Sequence, residues 1–348
     1  MKKVLGLALV WVCIVLLAAC SAGAPAATAA PDAAPGASPA ANAEGAAAGD
    51  DEIYIAMFPK GYVGDVWKAV ERGAKDAAAK YGVKLTVEAP DSETDVDGQN
   101  KLIETAINKG ADVIAIAPLD DKGSVPVIEQ AQKAGIKVIA YNSTLDSDIP
   151  LTQIMTDNRQ IGDMAGEALG KAMGGKGKYA IIGSNEAVAI ARERCDFTRE
   201  YIEAHYPDME CITTQYTMGD LNKALAVTSD IITANPDIQG LYSNNETTSI
   251  AVATVLQERG LAGKIVHVGF DATKQTAVFL KDGTTQALVG QRTYDMGYIT
   301  VEKAIAAYKG EKLDPTYPVP IALATVDNID TDDIKMMVDP IAMLDAQK

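Results

Sequence analysis

The stretch IYIAMFPKGYVGDVWKAVERGAKDAAAKYGVKLTV, Ile53–Val87, contains one complete β-α-β unit. Ile53–Met57 is a continuous apolar run, which is typical of a strand that is buried on both faces. Asp65–Tyr81 follows with apolar residues at helical spacing, and Gly82 stands directly after it, where a left-handed C-cap favours glycine. Val83–Val87 is again short and apolar. A strand, a crossover helix and a second strand together predict a parallel sheet.

The same alternation of strand and helix continues to residue 308. Further strands are predicted at Val113–Ala117, Lys137–Tyr141, Tyr179–Ile182, Cys211–Gln215, Gly240–Tyr242, Ile265–Val268 and Gln286–Val289. Further helices are predicted at Asp97–Lys109, Gly123–Ala134, Asn158–Met173, Ala191–His205, Asp220–Ala234, Thr247–Arg259, Thr273–Lys281 and Tyr294–Tyr308. A folded part of about 300 residues is too large for one compact core, so two similar sheets fit it better than one. The predicted fold class is therefore α/β, with two similar doubly wound parallel-sheet lobes.

The N-terminus has the pattern of an exported chain. Lys2 and Lys3 precede the apolar run Val4–Leu17, which is shorter than the roughly 20 residues that a membrane-spanning helix needs. Leu17-Ala18-Ala19-Cys20 resembles the lipobox of bacterial lipoproteins, which implies cleavage after residue 19 and lipidation of the Cys20 thiol. The alternative is an ordinary signal peptide that is cut after an Ala-x-Ala sequence. Residues 20–50 are rich in Ala, Pro and Gly, which predicts a flexible tether on the outer face of the membrane.

Charge and cysteine content exclude several classes of function. A formal charge of −16 argues against nucleic acid as a partner, because phosphate contacts need clustered lysine and arginine. With Cys195 opening a helix and Cys211 opening the next strand, the two lie roughly 15 Å apart, too far for a disulfide, so two free thiols are expected. No Cys-x-x-Cys pair occurs and the chain has only two histidines, so we expect no metal site and no cofactor.

No pattern of residues predicts catalysis. Gly183-Ser184 lacks the following glycine of a nucleophile elbow, and Lys171 lacks the spacing of a phosphate-binding loop. His205 falls late in a predicted surface helix and His267 falls inside a predicted strand, so both are interpreted as structural. The chain is therefore not expected to be an enzyme.

Polar side chains follow six of the predicted strands, drawn from both sheets. They occur in Phe58-Pro59-Lys60, Asn142-Ser143, Ser184-Asn185-Glu186, Asn244-Asn245-Glu246, Gly269-Phe270-Asp271 and Gly290-Gln291-Arg292, with Arg192 and Arg194 at a helix start. Ligands of open parallel sheets bind beyond the carboxyl ends of the strands. Amide, carboxylate and guanidinium groups that converge there suit a polyhydroxylated ligand, and Tyr62 and Trp67 offer flat faces for a sugar ring. Each residue also has a structural explanation as a turn former, helix cap or core residue.

At these residues the chain resembles the type I periplasmic sugar-binding proteins. The matching stretches are Ala191-Arg192-Glu193-Arg194, Ala234-Asn235-Pro236-Asp237, Asn244-Asn245-Glu246, Val268-Gly269-Phe270-Asp271 and Gly290-Gln291. The resemblance implies that Arg192, Asn245, Asp271 and Gln291 bind ligand hydroxyls and that Trp67 stacks on the sugar ring. It also implies three crossings between the lobes, near Thr156, near Gln291 and near Ile321.

The N-terminal pattern and the resemblance together divide the chain into five parts. These are a signal peptide over 1–19, the lipidated cysteine and tether over 20–50, an N-terminal lobe over 51–155 plus 292–320, a C-terminal lobe over 156–291 plus 321–335, and a tail over 336–348.

Two departures from the ribose-binding pattern leave the ligand open. Asn142-Ser143 stands where ribose-type binders have Asp-Arg, and the loss of that arginine puts ribose in doubt. Pro59-Lys60 resembles the branch that binds autoinducer-2 or rhamnose, in which Lys60 would contact the ligand. We count both Lys60 and Asn142 as candidate ligand contacts.

The expected function is capture of a small polar ligand, a monosaccharide, and its delivery to the permease of an ABC importer. The alternatives are autoinducer-2 binding and a subunit that reports ligand to a membrane sensor or chemoreceptor. A monomer that is tethered to the membrane through Cys20 is expected.

Overall fold

The computed structural model describes residues 52–62 and 64–346. The predicted signal peptide, the tether and the lipidation site at Cys20 lie outside the described residues. Over the residues that are described, no helix is both long enough and apolar enough to cross a membrane.

Strands and helices alternate through the described ranges. The strands are β1 Tyr54–Phe58, β2 Lys84–Val87, β3 Val113–Ile116, β4 Lys137–Tyr141, β5 Gln153–Met155, β6 Lys176–Gly183, β7 Asp208–Tyr216, β8 Ile238–Ser243, β9 Val266–Phe270, β10 Ala287–Gln291, β11 Thr316–Pro318 and β12 Ile321–Ala324. The helices are α1 Asp65–Tyr81, α2 Val96–Asn108, α3 Val125–Lys133, α4 Asn158–Ala172, α5 Ala189–His205, α6 Leu221–Ala234, α7 Glu246–Glu258, α8 Lys274–Lys281, α9 Thr293–Tyr308, α10 Asp332–Val338 and α11 Pro340–Asp345.

The described strands form two six-stranded sheets, which confirms the predicted fold class. The first sheet has the order β11-β5-β4-β3-β1-β2, and all of its strand pairs are parallel. The second sheet has the order β12-β10-β9-β8-β6-β7, in which β12 alone runs antiparallel to its neighbour. We call the first sheet with its helices α1, α2, α3 and α9 the first lobe. The second sheet with α4 to α8 and α10 is the second lobe.

Each sheet is covered by helices on both faces, because alternate residues of its strands enter different apolar clusters. In β1, Ile55 and Met57 pack with α1 and α9, whereas Ala56 and Phe58 pack with α2 and α3. In β6, Tyr179 and Ile181 pack with α4 and α5, whereas Ala180 and Ile182 pack with α6 and α7. Burial of both faces explains why these strands are continuous apolar runs in the sequence.

The chain passes between the two sheets three times within the described residues. It crosses after β5 near Thr156, after β10 at Arg292 and between β11 and β12. The second crossing returns the chain to the first lobe, where α9 packs along α1. A side chain at Gly297 would overlap the backbone of Val70 in α1, so the close approach of the two helices requires glycine there.

Several details differ from the sequence-based expectations. Cys195 lies inside α5 rather than at its start, and Cys211 lies inside β7; both are free thiols in the described structure. The segment 336–348, expected as a tail, includes the end of α10 and all of α11. Gly82 has a φ of 65° and its amide bonds to the carbonyl of Ala78, which confirms the predicted cap.

Candidate functional site

A cavity of about 330 Å³ lies between the two lobes. Segments that follow strands of both sheets line it, as expected for the carboxyl ends of parallel strands. Six of the seven predicted ligand contacts are among the lining residues: Lys60, Trp67, Asn142, Asn245, Asp271 and Gln291. The lobes also contact each other directly, since the amide of Asp65 donates to Glu246 Oε1 at 3.2 Å and Arg192 pairs with Asp121 at 3.0 Å, so the structure corresponds to a closed clamp.

Asp271 is the centre of a hydrogen-bond network in the second-lobe wall. Its Oδ1 accepts from Gln291 Nε2 at 2.8 Å and its Oδ2 accepts the amide of Glu246 at 2.9 Å. Burial raises the pKa of Asp271, while the nearby Arg194 opposes this rise. Gln291 Oε1 is buried and has no hydrogen-bond partner among the described residues. That oxygen is therefore an acceptor available to a ligand donor.

Arg194 is a buried cation in the same wall. Its Nε donates to Asn158 Oδ1 at 3.2 Å, and its guanidinium lies 4.0 Å from the ring centroid of Phe270. Its Nη2 is buried without a hydrogen-bond partner in the described part of the chain. Burial lowers its pKa, and the charge of Asp271 counteracts that effect. Arg194 is thus oriented by neighbours and has a free donor for a ligand oxygen.

The prediction that Arg192 contacts the ligand needs correction, because the structure places this residue outside the cavity lining. Arg192 and Arg194 are two residues apart in α5 and so lie about 200° apart around the helix axis. The inward face of α5 carries Ala191, Arg194 and Cys195, whereas the Arg192 side chain is 39% exposed. It pairs with Asp121 of the first lobe at 3.0 Å.

Lys60 is a buried cation on the first-lobe side. It is 8% exposed, and burial lowers its pKa to about 8, an effect that Glu93 opposes and Arg194 reinforces. The lysine is the second residue after β1, so the sequence showed it as part of a strand end. A lysine in this place can donate to ligand oxygens while it remains largely charged at neutral pH.

Trp67 is held in the cavity wall by an acid that the sequence analysis did not identify. The indole Nε1 donates to Glu93 Oε1 at 2.8 Å, and Trp67 also packs in the apolar cluster beneath α1. Glu93 lies in the segment that connects β2 to α2. Tyr62, the other predicted flat face, is 46% exposed and does not line the cavity; its hydroxyl accepts the amide of Ala89.

Asn142 and Asp271 share an unusual backbone. Their φ angles are 61° and 67°, in the left-handed region that Asn and Asp tolerate better than most residues. Residues held in this conformation concentrate at functional sites. Asn245 caps α7: its Oδ1 accepts from the amide of Thr248 at 2.9 Å, which leaves its amide nitrogen as the group for a ligand.

The cavity lining carries more acidic than basic residues. Lys60 and Arg194 are its two cations, and its five carboxylates are Asp91, Glu93, Asp220, Glu246 and Asp271. Burial and the charge of Asp271 raise the pKa of Glu246 to about 7. The formal charge is therefore three negative units before this titration is considered. Glu93 and Asp220 were not predicted as site residues, and Glu246 was predicted only as part of the polar strand end Asn244-Asn245-Glu246, not as a ligand contact.

Neither histidine lines the cavity. His267 is fully buried between Ser243 and Thr285, and burial lowers its pKa to about 3. His205 is exposed in α5 and its ring stacks on Tyr201. Among the described residues, no group of three His, Cys, Asp or Glu side chains is placed to hold a metal ion.

Two α/β lobes, three crossings and a polar cavity between them define a two-lobed ligand-binding protein of the clamp type. The model of the protein family described as "periplasmic binding protein domain" matches residues 55–312 of this chain. This chain belongs to that family, which confirms the resemblance to the type I periplasmic sugar-binding proteins.

Individual relatives agree with this assignment. A D-ribose/D-allose-binding protein of Pseudomonas aeruginosa is 25% identical over 283 residues, which cover 78% of this chain and 88% of the relative. A ribose import binding protein of Salmonella typhimurium is 28% identical over 255 residues, with coverage of 73% and 84%. The crystal structure of a carbohydrate transporter solute-binding protein from Agrobacterium radiobacter, in complex with D-arabinose, matches with a TM-score of 0.80 and 29% identity. That match covers 84% of this chain and all of the other.

Proposed function

We propose that this protein captures a neutral monosaccharide in the inter-lobe cavity and delivers it to the permease of an ABC importer. The observation that carries the proposal is the pair of buried, unpartnered polar atoms in the cavity wall, Arg194 Nη2 and Gln291 Oε1. A buried donor and a buried acceptor without partners cost free energy that a ligand hydroxyl, which is both donor and acceptor, can recover.

The charge of the cavity supports a neutral ligand. Five carboxylates face two cations, so a sugar phosphate or a sugar acid would bring an additional negative charge into an already acidic space between the lobes. Hydroxyl groups carry no such penalty and can bond to carboxylate and cation alike. The volume of about 330 Å³ lies at the lower end of the range for small-molecule sites, which favours a single sugar unit.

The relatives support a sugar rather than autoinducer-2. The names of the two relatives refer to ribose and allose, and the similar crystal structure holds D-arabinose. Lys60 lies in the cavity wall, where it can serve a sugar as well as autoinducer-2. The autoinducer-2 alternative is therefore not favoured. Binding rather than catalysis is the activity of this family, and we propose no reaction.

We further propose that the mature protein begins at Cys20 and is held on the outer face of the membrane by lipid. The support is the lipobox and the composition of residues 20–50. Mass spectrometry of the protein purified from membranes tests this: a diacylglycerol on an N-terminal cysteine is expected, and Cys20→Ala should release the protein. An unmodified N-terminus elsewhere would contradict the anchor.

A ligand screen by thermal unfolding tests the sugar proposal. The panel contains D-ribose, D-allose, D-arabinose and D-fucose, with autoinducer-2 and with D-ribose 5-phosphate as the anionic counterpart of D-ribose. A ligand at about a hundred times its Kd should stabilise the fold by about 2.7 kcal/mol. Arg194→Met should abolish the shift, while Arg159→Met, in an exposed pair with Glu200, should retain it. Stabilisation by the phosphate alone would contradict the proposal.

A further inference from the structure

Arg192 joins the two lobes at a point outside the cavity. Its Nη2 lies 3.0 Å from Oδ2 of Asp121, and neither residue lines the cavity. Arg192 belongs to α5 of the second lobe, whereas Asp121 follows β3 of the first. When the lobes move apart this contact is lost, because its two halves belong to different rigid bodies.

Both partners are held in position from within their own lobes. Arg192 Nη1 donates to the carbonyl of Glu186, which orients the guanidinium. On the other side, Oδ1 of Asp120 accepts the amides of the two residues that follow Asp121, at 2.9 and 2.6 Å. The carbonyl of Asp121 also accepts the amide of Asp146 at 2.8 Å. Because each side is already ordered, less side-chain entropy is lost when the pair forms.

We propose that Arg192 and Asp121 form a latch that stabilises the closed clamp without touching the ligand. The proposal rests on the proposed function, since a clamp that closes on a ligand gives the latch its effect. Arg192 is a positioning residue in this account and Arg194 is the arginine that contacts the ligand. The side chains are 39% and 13% exposed, so water screens part of the attraction. A coupling of about two- to fivefold in affinity is expected for such a pair.

Loss of a latch and loss of a ligand contact have different effects on the relative affinities for different sugars. The latch changes the equilibrium between open and closed lobes, so its loss weakens every ligand by the same factor. A ligand contact changes the ratio of affinities between sugars that place their hydroxyls differently. Loss of the latch should also appear mainly as faster dissociation, because the closed state opens more often.

A double-mutant cycle tests the latch. Kd and dissociation rate are measured for D-ribose and D-allose with wild type, Arg192→Ala, Asp121→Ala and the double variant. The exchange variant Arg192→Asp with Asp121→Arg is added, and Arg159→Ala is the matched control, because it breaks a 2.8 Å pair with Glu200 inside the second lobe. Each single variant should lose about two- to fivefold in affinity for both sugars. The double variant should lose no more, and the exchange should restore part of the loss.

Additive losses in the double variant, or a changed ratio between the two sugars, would overturn the latch. If no sugar of the panel binds, the proposed function fails, and the latch is then tested on the ligand-free protein. Single-molecule energy transfer between dyes on the two lobes measures the closed population. The latch predicts a smaller closed population in each single variant than in wild type and in Arg159→Ala; equal populations overturn it.

Discussion

Replacement of Glu246 by glutamine removes a titrating group from the closed cavity and changes its shape little. Glu246 is 8% exposed, and its carboxylate accepts the amide of Asp65 from the first lobe. Burial raises its pKa from 4.5 to about 7, helped by the charge of Asp271 and opposed by a hydrogen bond from Thr273. When the lobes separate, water reaches this carboxylate, and we expect its pKa to return close to the ordinary value.

The sign of the resulting pH dependence follows from linkage. A carboxyl whose pKa rises on closure is protonated more readily in the closed state, so closure is favoured as the pH falls from 8 towards 5. The pKa of Glu246, 4.5 in the open state and about 7 in the closed state, sets an upper limit of about seventyfold on the gain in affinity between pH 8 and pH 5. Ligand and water contacts to the carboxylate should lower its pKa in the closed state and reduce the gain to about tenfold. Asp271, also raised by burial, acts in the same direction. Lys60, lowered to about 8, opposes this trend by about twofold between pH 8 and 7, and it stays largely protonated and adds little slope between pH 5 and 7.

Calorimetry in two buffers of different ionisation enthalpy measures this proton directly. At pH 6 the wild type should take up about 0.5 proton at Glu246 per sugar bound if the gain in affinity is tenfold, and about 0.9 proton at the seventyfold limit. Glu246→Gln should lose that uptake, and Glu203→Gln, at an exposed position of α5, should keep it. Equal uptake by wild type and Glu246→Gln would refute the assignment to Glu246. No uptake by the wild type would refute the change in its burial on closure.

Three further predictions concern the cavity wall, the packing of α9 on α1 and the buried histidine of the second lobe. Glu93→Gln should weaken sugar binding by about three- to tenfold, because a neutral amide holds the Trp67 indole less strongly; unchanged affinity in calorimetry would count against this role. Gly297→Ala should lower the free energy of unfolding in urea by about 1–3 kcal/mol, because its Cβ overlaps the Val70 backbone; wild-type stability would contradict the packing. His267 is buried with a pKa of about 3 and takes up a proton on unfolding in acid, so its own contribution to stability should fall by about 2 kcal/mol from pH 7.5 to pH 5, measured as the difference between wild type and His267→Gln. His267→Gln should lack that slope, and an identical slope would exclude His267 as its source.

The strands that are buried on both faces of a sheet were the easiest elements to predict from the sequence. Strands such as β1 are apolar at every position because both faces carry helices, and this made the two sheets predictable. The strands β5, β11 and β12 were not predicted, since they are three or four residues long and several of their residues are only partly buried. Such short segments carry too few residues for a periodic pattern.

The sequence predicted which strand ends form the site, but it did not predict correctly every side chain that faces the cavity. Arg192 and Arg194 stand in one polar run, and the phase of the helix decides which of them faces the cavity. The buried positions Ala191, Cys195 and Ile202 mark that phase, and their spacing places Arg194 on the same face. Glu93 follows a predicted strand and could have been found by the same rule. The raised pKa of Glu246 depends on the approach of the two lobes, which the sequence does not contain.

Trp67 offers the most direct measurement of the central claim. The chain has two tryptophans, Trp11 and Trp67, and the proposed cleavage before Cys20 would leave Trp67 alone in the purified protein. It lines the cavity between the lobes. Titration of the purified mature protein with D-ribose, D-allose, D-arabinose or D-fucose should give a saturable change in tryptophan emission for at least one sugar, and none for D-ribose 5-phosphate. Constant emission with every neutral sugar, or a change with the phosphate alone, would contradict the capture of a neutral monosaccharide in this cavity.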